Sequence, residues 1–515
     1  MEVFTFVSLL KECMKKKDPE QCLKIHSELL RRGLLQKSPH VASALINTYA
    51  KCGMFAKANQ VLREINEPNI VSWNALISGY VQHGQDHEAL MCFEKLQCDG
   101  ILPNVVTSIC ILKACGNIGD IEKGKQIHES IVKRQLLGND VLLGTSLLDM
   151  YAKCGMLEKA QNVLEELPFK DSVAWNALIA GYAHHTKGIQ SLSLFDRMHI
   201  EALFPSVITF VCILKVCGQI ECFGKGKQMH TKVLHMGLLE KNIVLGNALI
   251  DMYAKCGVFG KALQVLEEIP IRNVISWNAL IGGYTQFGRD CEAFTCFQVM
   301  RHEGLAPDVV TFICILKACS NLTTIKTGKQ IHDEIMRREL VTRDIMLGTA
   351  LINMYAKFGM FVKAQQVLDE IPIRNVVSWN ALISGYSQYG QWNQALSSFQ
   401  RMQSEGLVPD TITFISILKA CGSIRAIGKG KQIHNDIVNR GLSDNMLIGN
   451  ALVDMYAKCG MLAKAHEVME QLSVRDVVSW SALILGYTQK ERSYEVFHCF
   501  ERMQSEGISP DMVTF

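Results

Sequence analysis

The sequence has little of what usually announces a function. Its 515 residues carry a net charge of only +3, so the strong basic excess of many nucleic-acid binders is missing, and whole-chain charge neither supports nor excludes such a partner. Apolar runs such as FICIL at 312–316 are far too short to cross a bilayer, and no membrane partner is expected. No C-x-x-C pair occurs among the nineteen cysteines, which leaves zinc without support. The GKGK stretches at 224–227 and 428–431 lack the spacing of a phosphate-binding loop and precede a helix with no strand before it. No nucleophile, base and orienter stand out together, so neither catalysis nor a cofactor is expected within this chain.

What is present is a repeat. Tryptophan falls at 73, 175, 277, 379 and 480, opening SWNALI, AWNALI, SWNALI, SWNALI and SWSALI in turn. Intervals of 102, 102, 102 and 101 residues are too long for one supersecondary unit, so each holds several smaller hairpins recurring as a set. Apolar residues at 48% and charged residues at 20% fit a packed soluble protein, not a disordered one. A stack of hairpins buries its core between neighbours and grows without splitting, so one continuous array is expected over residues 3–511.

Aligned on the tryptophans, the chain resolves into three unlike units in fixed order. A standard unit of 35 residues carries SWNALI and spans 70–104, 172–206, 274–308, 376–410 and 477–511. A long unit follows from Val105, Val207, Val309 and Thr411, with ILKAC-type and GKQIH-type phrases; a short unit of 31 residues closes the period with YAKCG or YAKFG. Extended backward, Val3 begins a degenerate long unit and Pro39 a short one, giving fifteen units, and 512–515 reads as the start of another. Met1 runs almost at once into repeat sequence with no transit segment, and both ends read as those of a fragment, with any targeting segment or further domain outside it.

Each unit reads as two short helices. In one short unit Leu147, Leu148 and Tyr151 form a helical stripe that halts at Gly155. Leu157, Ala160, Val163, Leu164 and Leu167 form a second that halts at Pro168. Helices of about three turns are marginal alone, so stacking must supply the stability. The expected fold is all-α, a right-handed superhelical solenoid of helix-turn-helix repeats. The cysteines fall on repeat columns, Cys110/Cys115, Cys212/Cys217 and Cys314/Cys319 in one and Cys52, Cys154, Cys256 and Cys459 in another, where Ser416 and Phe358 stand in. Phenylalanine cannot replace a metal ligand or a disulfide partner, so these are expected to be buried thiols in a reducing compartment. His128, His230, His332 and His434 of the GKQIH phrases lie a period apart, in separate layers, and cannot form one metal site.

Three unit lengths in one order, with VVSWNALI, GKQIH and YAKCG each in its own unit, resemble the plant pentatricopeptide repeat family, in particular its class of alternating standard, long and short repeats. The resemblance covers essentially the whole chain. The related tetratricopeptide repeat fits poorly, because its W-x-x-L-G-x-x-Y pattern does not occur on the repeat grid. The resemblance implies sequence-specific binding of single-stranded RNA, one nucleotide per unit, in which the fifth and last side chains of a unit read the base. It implies base-reading roles for Ser43 with Asn69 (adenine), Asn74 with Asn104 (a pyrimidine), Thr145 with Asp171 (guanine) and Asn176 with Ser206 (cytosine). It implies the same for Asn247 with Asn273 (a pyrimidine), Asn278 with Asp308 (uracil), Thr349 with Asn375 (adenine), Asn380 with Asp410 and Asn450 with Asp476 (both uracil), and Ser481 with Asp511 (guanine). The long units have Val7, Ile109, Val211, Ile313 and Ile415 at the fifth position, which cannot hydrogen-bond a base and make these units spacers. The implied target is 5′-N-A-Y-N-G-C-N-Y-U-N-A-U-N-U-G-3′.

Each assignment has a plainer rival. Polar fifth residues also cap helices. Val71, Val173, Ile275, Val377 and Val478, which the resemblance places beside the bases, would serve equally as core. Lys51, Lys153, Lys255, Lys357 and Lys458 recur in YAK and either face phosphates or sit on a solvated helix face. The resemblance further implies a mitochondrial or chloroplast RNA-processing factor, most often one directing C-to-U editing, with editing co-factors or a deaminase domain supplied in cis or in trans. That domain needs H-x-E together with C-x-x-C, and no C-x-x-C occurs here. Organellar RNA stabilisation or splicing, and a protein-binding scaffold, are the competing functions; duplex DNA is not an expected partner.

Overall fold

The computed structural model describes residues 2–16, 18–65, 68–136, 140–512 and 514, with the backbone alone at 2 and 3. Every regular element among them is helical: fifteen helical hairpins in sequence, plus the one-turn helix Leu34–Lys37 between the first two. The chain divides into two compact units, Met1–Pro270 and Ile271–Phe515, built in the same way.

Each hairpin obeys the punctuation of its sequence. The short-unit pair Val141–Lys153 and Leu157–Glu166 is joined at Gly155, whose φ of +77° is the left-handed conformation glycine adopts without strain. The N–H of Met156 returns to the carbonyl of Tyr151 at 2.9 Å, which closes the helix end. Hairpin starts are set by the preceding residue. Asn69, Asn104, Asp171, Ser206, Asn273, Asp308, Asn375, Asp410 and Asp476, each the last residue of its unit, N-cap the next helix by accepting a backbone N–H.

The first helix of a hairpin is enclosed more fully than the second. Within the first compact unit, Pro39–Lys51 packs on Ile70–Gln82, which packs on Val105–Ile118, while each first helix also touches its own partner and the second helix of the hairpin before it. The second compact unit repeats this arrangement: Val376–Gln388 buries Trp379, Leu382, Ile383 and Tyr386 together with Ser378, Asn380 and Ser387, leaving little of its circumference free. Its partner Trp392–Ser404 is amphipathic, burying Ala395, Leu396, Phe399 and Met402 on one side only. The tryptophans expected at the hairpin start are core: Trp175 and Trp379 are wholly buried. The indole N–H groups of Trp277, Trp379 and Trp480 donate to Glu303, Glu405 and Glu506 at 2.8, 3.0 and 3.2 Å, while those of Trp73 and Trp175 are buried without a partner among the described residues.

Long and short units are joined by a recurrent buried pair. Nδ1 of His26, His128, His230, His332 and His434 lies 2.7 to 2.9 Å from the hydroxyl of Tyr49, Tyr151, Tyr253, Tyr355 and Tyr456, with the rings edge to face. Burial holds all five imidazoles below their ordinary pKa. The glycine of GKQIH marks the same contact. A Cβ on Gly328 would come within 2.4 Å of Met354 Sδ, so this glycine permits close helix approach. All nineteen cysteines are free. Burial pushes the thiols of Cys115 and Cys217 up to about 12, which makes them inert packing residues, whereas Cys98 and Cys291 are exposed.

Candidate nucleic-acid interface

The fifth residue of each unit lies one turn into the first helix, and the last residue caps the helix that follows. Their meeting is therefore a matter of how successive first helices stack. Asparagine at the fifth position reaches the last residue in every pair within one compact unit. Nδ2 of Asn74 donates to Asn104 Oδ1 at 3.0 Å, that of Asn176 to Ser206 Oγ at 2.9 Å, and that of Asn278 to Asp308 Oδ1 at 2.9 Å. Asn380 donates to both carboxylate oxygens of Asp410 at 2.9 and 3.0 Å, and Asn450 to those of Asp476 at 3.0 and 2.9 Å. Asn247 is buried in the first helix of its unit, and Asn273 caps Val274–Gln286 in the second compact unit through Ser276.

Serine and threonine at the fifth position are too short for the same contact. Ser43 Oγ is 3.5 Å from Asn69 Oδ1 and 2.8 Å from Ser72 Oγ; Ser481 Oγ is 3.5 Å from Asp511 Oδ1 and 2.9 Å from Thr514 Oγ1. Thr349 turns its hydroxyl onto the Ile345 carbonyl of its own helix at 2.9 Å, away from Asn375. Thr145 Oγ1 is buried with no partner among the described residues, and Ala174 stands where the other standard units carry serine. Capping is thus performed by the last residue of the pair, and the fifth residue is left free of that duty. Burial pushes the Asp410 carboxyl up, but the backbone N–H of Thr413, the Asn380 amide and the Thr413 hydroxyl outweigh it and hold the group below its ordinary value. It is a carboxylate at neutral pH.

Beside these polar pairs stands a row of exposed aliphatic side chains. Val71, Val173, Ile275, Val377 and Val478 are 50 to 60% exposed, so the core role that was their alternative does not apply. The same position in the other units is equally exposed: Val106, Ile208, Val310 and Ile412 in long units, Leu142, Val244, Met346 and Leu447 in short ones. This column is visible in the sequence, but its exposure is not. Helical spacing puts the second and fifth residues on one broad face, and a nearly buried amide flanked by exposed aliphatics is a slot with a polar floor and apolar walls.

The lysines divide. Lys153, Lys255 and Lys458 pair with Asp149, Asp251 and Asp454 of the preceding turn at 2.9, 2.7 and 2.7 Å, and Lys357 donates to Asn321 Oδ1 at 2.9 Å. Lys51, half-buried, has no ion pair among the described residues. Sequence reasoning passed over Lys113, Lys215, Lys317 and Lys419 of the ILKAC phrases. They are exposed, form no ion pair among the described residues, and lie four residues after the fifth position on the same helix face. Their recurrence in every complete long unit was the available signal. Among the described residues no group of three His, Cys, Asp or Glu could hold a metal ion, and no helix is long and apolar enough to cross a membrane.

The profile of the PPR repeat family matches residues 68–137, 272–321, 374–423 and 475–515, and that of the pentatricopeptide repeat domain matches 169–220. The PPR repeat profile matches six further stretches, 4–34, 41–70, 145–171, 247–274, 349–376 and 450–477. A pentatricopeptide repeat-containing protein of Arabidopsis thaliana is 34% identical over 95% of this chain and 68% of its own length. This chain belongs to the pentatricopeptide repeat family. Other Arabidopsis members similar to it include one named as mitochondrial, 33% identical over 96% of this chain and 48% of its own length, and one named as chloroplastic, 32% identical over 92% and 76%. The chain thus spans from about half to three quarters of these pentatricopeptide repeat relatives. Among solved structures, the maize pentatricopeptide repeat protein PPR10 aligns over 99% of this chain and 84% of its own, at 19% identity and a TM-score of 0.59. PPR10 in complex with an 18-nt psaJ RNA element gives a TM-score of 0.58 over 99% of this chain and 83% of its own, also at 19% identity. Both show that the all-helical repeat solenoid is shared.

Proposed function

We propose that this pentatricopeptide repeat chain binds single-stranded RNA, one nucleotide per unit, and supplies the address of an organellar RNA-processing factor. The observation that carries the reading is the contact of the fifth and last side chains, Asn380 with Asp410 being the fullest case, on the floor of a slot walled by exposed aliphatics. Such a slot offers a base its stacking surface and its hydrogen-bond partners together. The RNA held by the maize relative supports the same partner, and relatives named mitochondrial or chloroplastic support an organelle. The ordered alternation of standard, long and short units supports the class that directs C-to-U editing, with the deaminase chemistry coming from elsewhere in cis or in trans.

In this reading the ten polar pairs read bases and the long units hold the strand without reading it. Their isoleucine or valine floor cannot discriminate, but their exposed aliphatic walls remain, and Lys113, Lys215, Lys317 and Lys419 add unpaired charge for phosphates. Lys153, Lys255 and Lys458 would have to leave their carboxylates first. Binding of the 15-mer target, of its scrambled sequence and of duplex DNA, measured at one stated salt concentration, tests the proposal. Preference for the target is expected, and equal affinity for target and scramble would refute base reading.

A further inference from the structure

Asparagine is an ambiguous reader, because rotating its amide by half a turn exchanges a donor for an acceptor. In the standard units something fixes that choice. The third residue of the following long unit is threonine, and its Oγ1 lies 2.7 Å from Asn74 Oδ1 for Thr107, and 2.6 Å from Asn278 and Asn380 Oδ1 for Thr311 and Thr413. The last residue of the unit meanwhile accepts from Nδ2. The same hydroxyls lie 3.0, 2.8 and 2.8 Å from Oδ1 of Asn104, Asp308 and Asp410. Turning the amide over would aim its carbonyl at the acceptor oxygen of the last residue and lose that bond, and would replace the hydroxyl's donation to Oδ1 with acceptance from Nδ2. One Nδ2 hydrogen is left over, so the group shown to a ligand is a donor.

The short units supply a natural comparison. Asn450 and Asp476 are the same fifth and last residues as Asn380 and Asp410, but the third residue after them is Ser479. Its hydroxyl turns back to the carbonyl of Asp476 at 2.9 Å, and Asn450 Oδ1 is left buried with no partner among the described residues. The physical difference is the threonine methyl, which restricts the side chain to few rotamers, whereas serine takes more than one: Ser378 and Ser479 turn to the carbonyl of the capping residue, and Ser72 and Ser276 to its side-chain oxygen. Two units with identical reading pairs therefore hold their asparagines differently.

We propose that the third-position threonine of each long unit is a specificity-determining positioning residue for the standard unit before it. By pinning Oδ1 of the fifth-position asparagine it fixes an N–H donor beside the last-residue acceptor, a pattern matched by a base carbonyl next to a ring N–H, as in uracil. This rests on the base-reading proposal above.

The test compares uracil with cytosine at the twelfth nucleotide of the 15-mer, opposite Asn380, and at the fourteenth, opposite Asn450. Wild type should discriminate more sharply at the twelfth. Thr413→Val should lower the uracil-to-cytosine affinity ratio there about tenfold, the factor carried by one hydrogen bond of ordinary strength, and leave the ratio at the fourteenth unchanged; Thr413→Ser should restore part of it. Should Thr413→Val fail to fold, Ser479→Thr gives the reverse test, because it should raise the ratio at the fourteenth nucleotide. A helix-capping role alone would move melting temperature and overall affinity without moving these ratios. Wild type without any preference at the twelfth nucleotide would overturn base reading and this inference together. Preference retained in Thr413→Val, or unchanged in Ser479→Thr, would overturn the inference alone.

Discussion

Asp410 holds a helix and the fifth-position amide of Asn380 with the same carboxylate, so two substitutions should separate capping from the base reading proposed above. Its Oδ1 accepts the N–H of Thr413 at 2.9 Å, and both oxygens accept from Asn380, which is only 6% exposed. Asp410→Ala removes the cap, about 1 kcal/mol, and strips a nearly buried amide of its acceptor, a further cost of about 1–3 kcal/mol. Asp410→Asn keeps a carbonyl oxygen for the cap and replaces the second oxygen with a donor, so its stability should fall by less than about 1 kcal/mol. The RNA result should not follow the same order. Since Asp410 is held ionised, the asparagine variant loses the charged acceptor of its slot and should lose about tenfold of its uracil preference at the twelfth nucleotide. Urea unfolding followed by circular dichroism, hydrogen exchange of the helix Thr411–Ser423, and competition binding with a single uracil-to-cytosine change measure these quantities. An alanine variant as stable as wild type would refute the capping argument. An asparagine variant that folds fully and keeps the uracil preference would refute the reading role.

Further outcomes are expected. Burial depresses the His332 imidazole, with Asp333 opposing and Lys363 reinforcing the effect, and the other four His–Tyr pairs act in the same sense; charging these rings costs more folded than unfolded, so stability should be full above about pH 6.5 and fall as pH drops below it, and Tyr355→Phe should cost about 1–3 kcal/mol in equilibrium unfolding by leaving Nδ1 unpaired. Gly328→Ala places a Cβ against Met354 and should destabilise by about 1–3 kcal/mol in thermal unfolding, an overpacking effect. Val377→Ser should change stability little in the same unfolding measurement, because the side chain is half exposed, yet weaken RNA binding. Removing Lys113, Lys215, Lys317 and Lys419 together should reduce the slope of log affinity against log salt by roughly 0.7 for each phosphate that is no longer neutralised.

The helical hairpins and their order were legible because helix-forming stripes, glycine stops and unit lengths are local properties of the chain. The pairing of fifth and last residues was legible only through family resemblance, since nothing in the spacing of Asn380 and Asp410 says that their side chains meet. Trp379 and Val377 show the limit from the other side. Both are apolar, two residues apart on one helix, yet one is wholly buried and the other half exposed. Periodicity orders residues around a helix axis, but which sector stays open depends on where four neighbouring helices lie.

By itself, the sequence determined an array of paired helices and the positions at which polar pairs recur, because a repeat of fixed length forces each residue type into the same local setting every time. The folded structure decided that the last residue of a unit caps the helix after it, that Lys153, Lys255 and Lys458 pair with aspartates while the ILKAC lysines form no ion pair among the described residues, and that a threonine from the next unit holds the fifth-position asparagine. The last of these depends on side chains about thirty residues apart meeting one another, and only the stacking distance between hairpins fixes it.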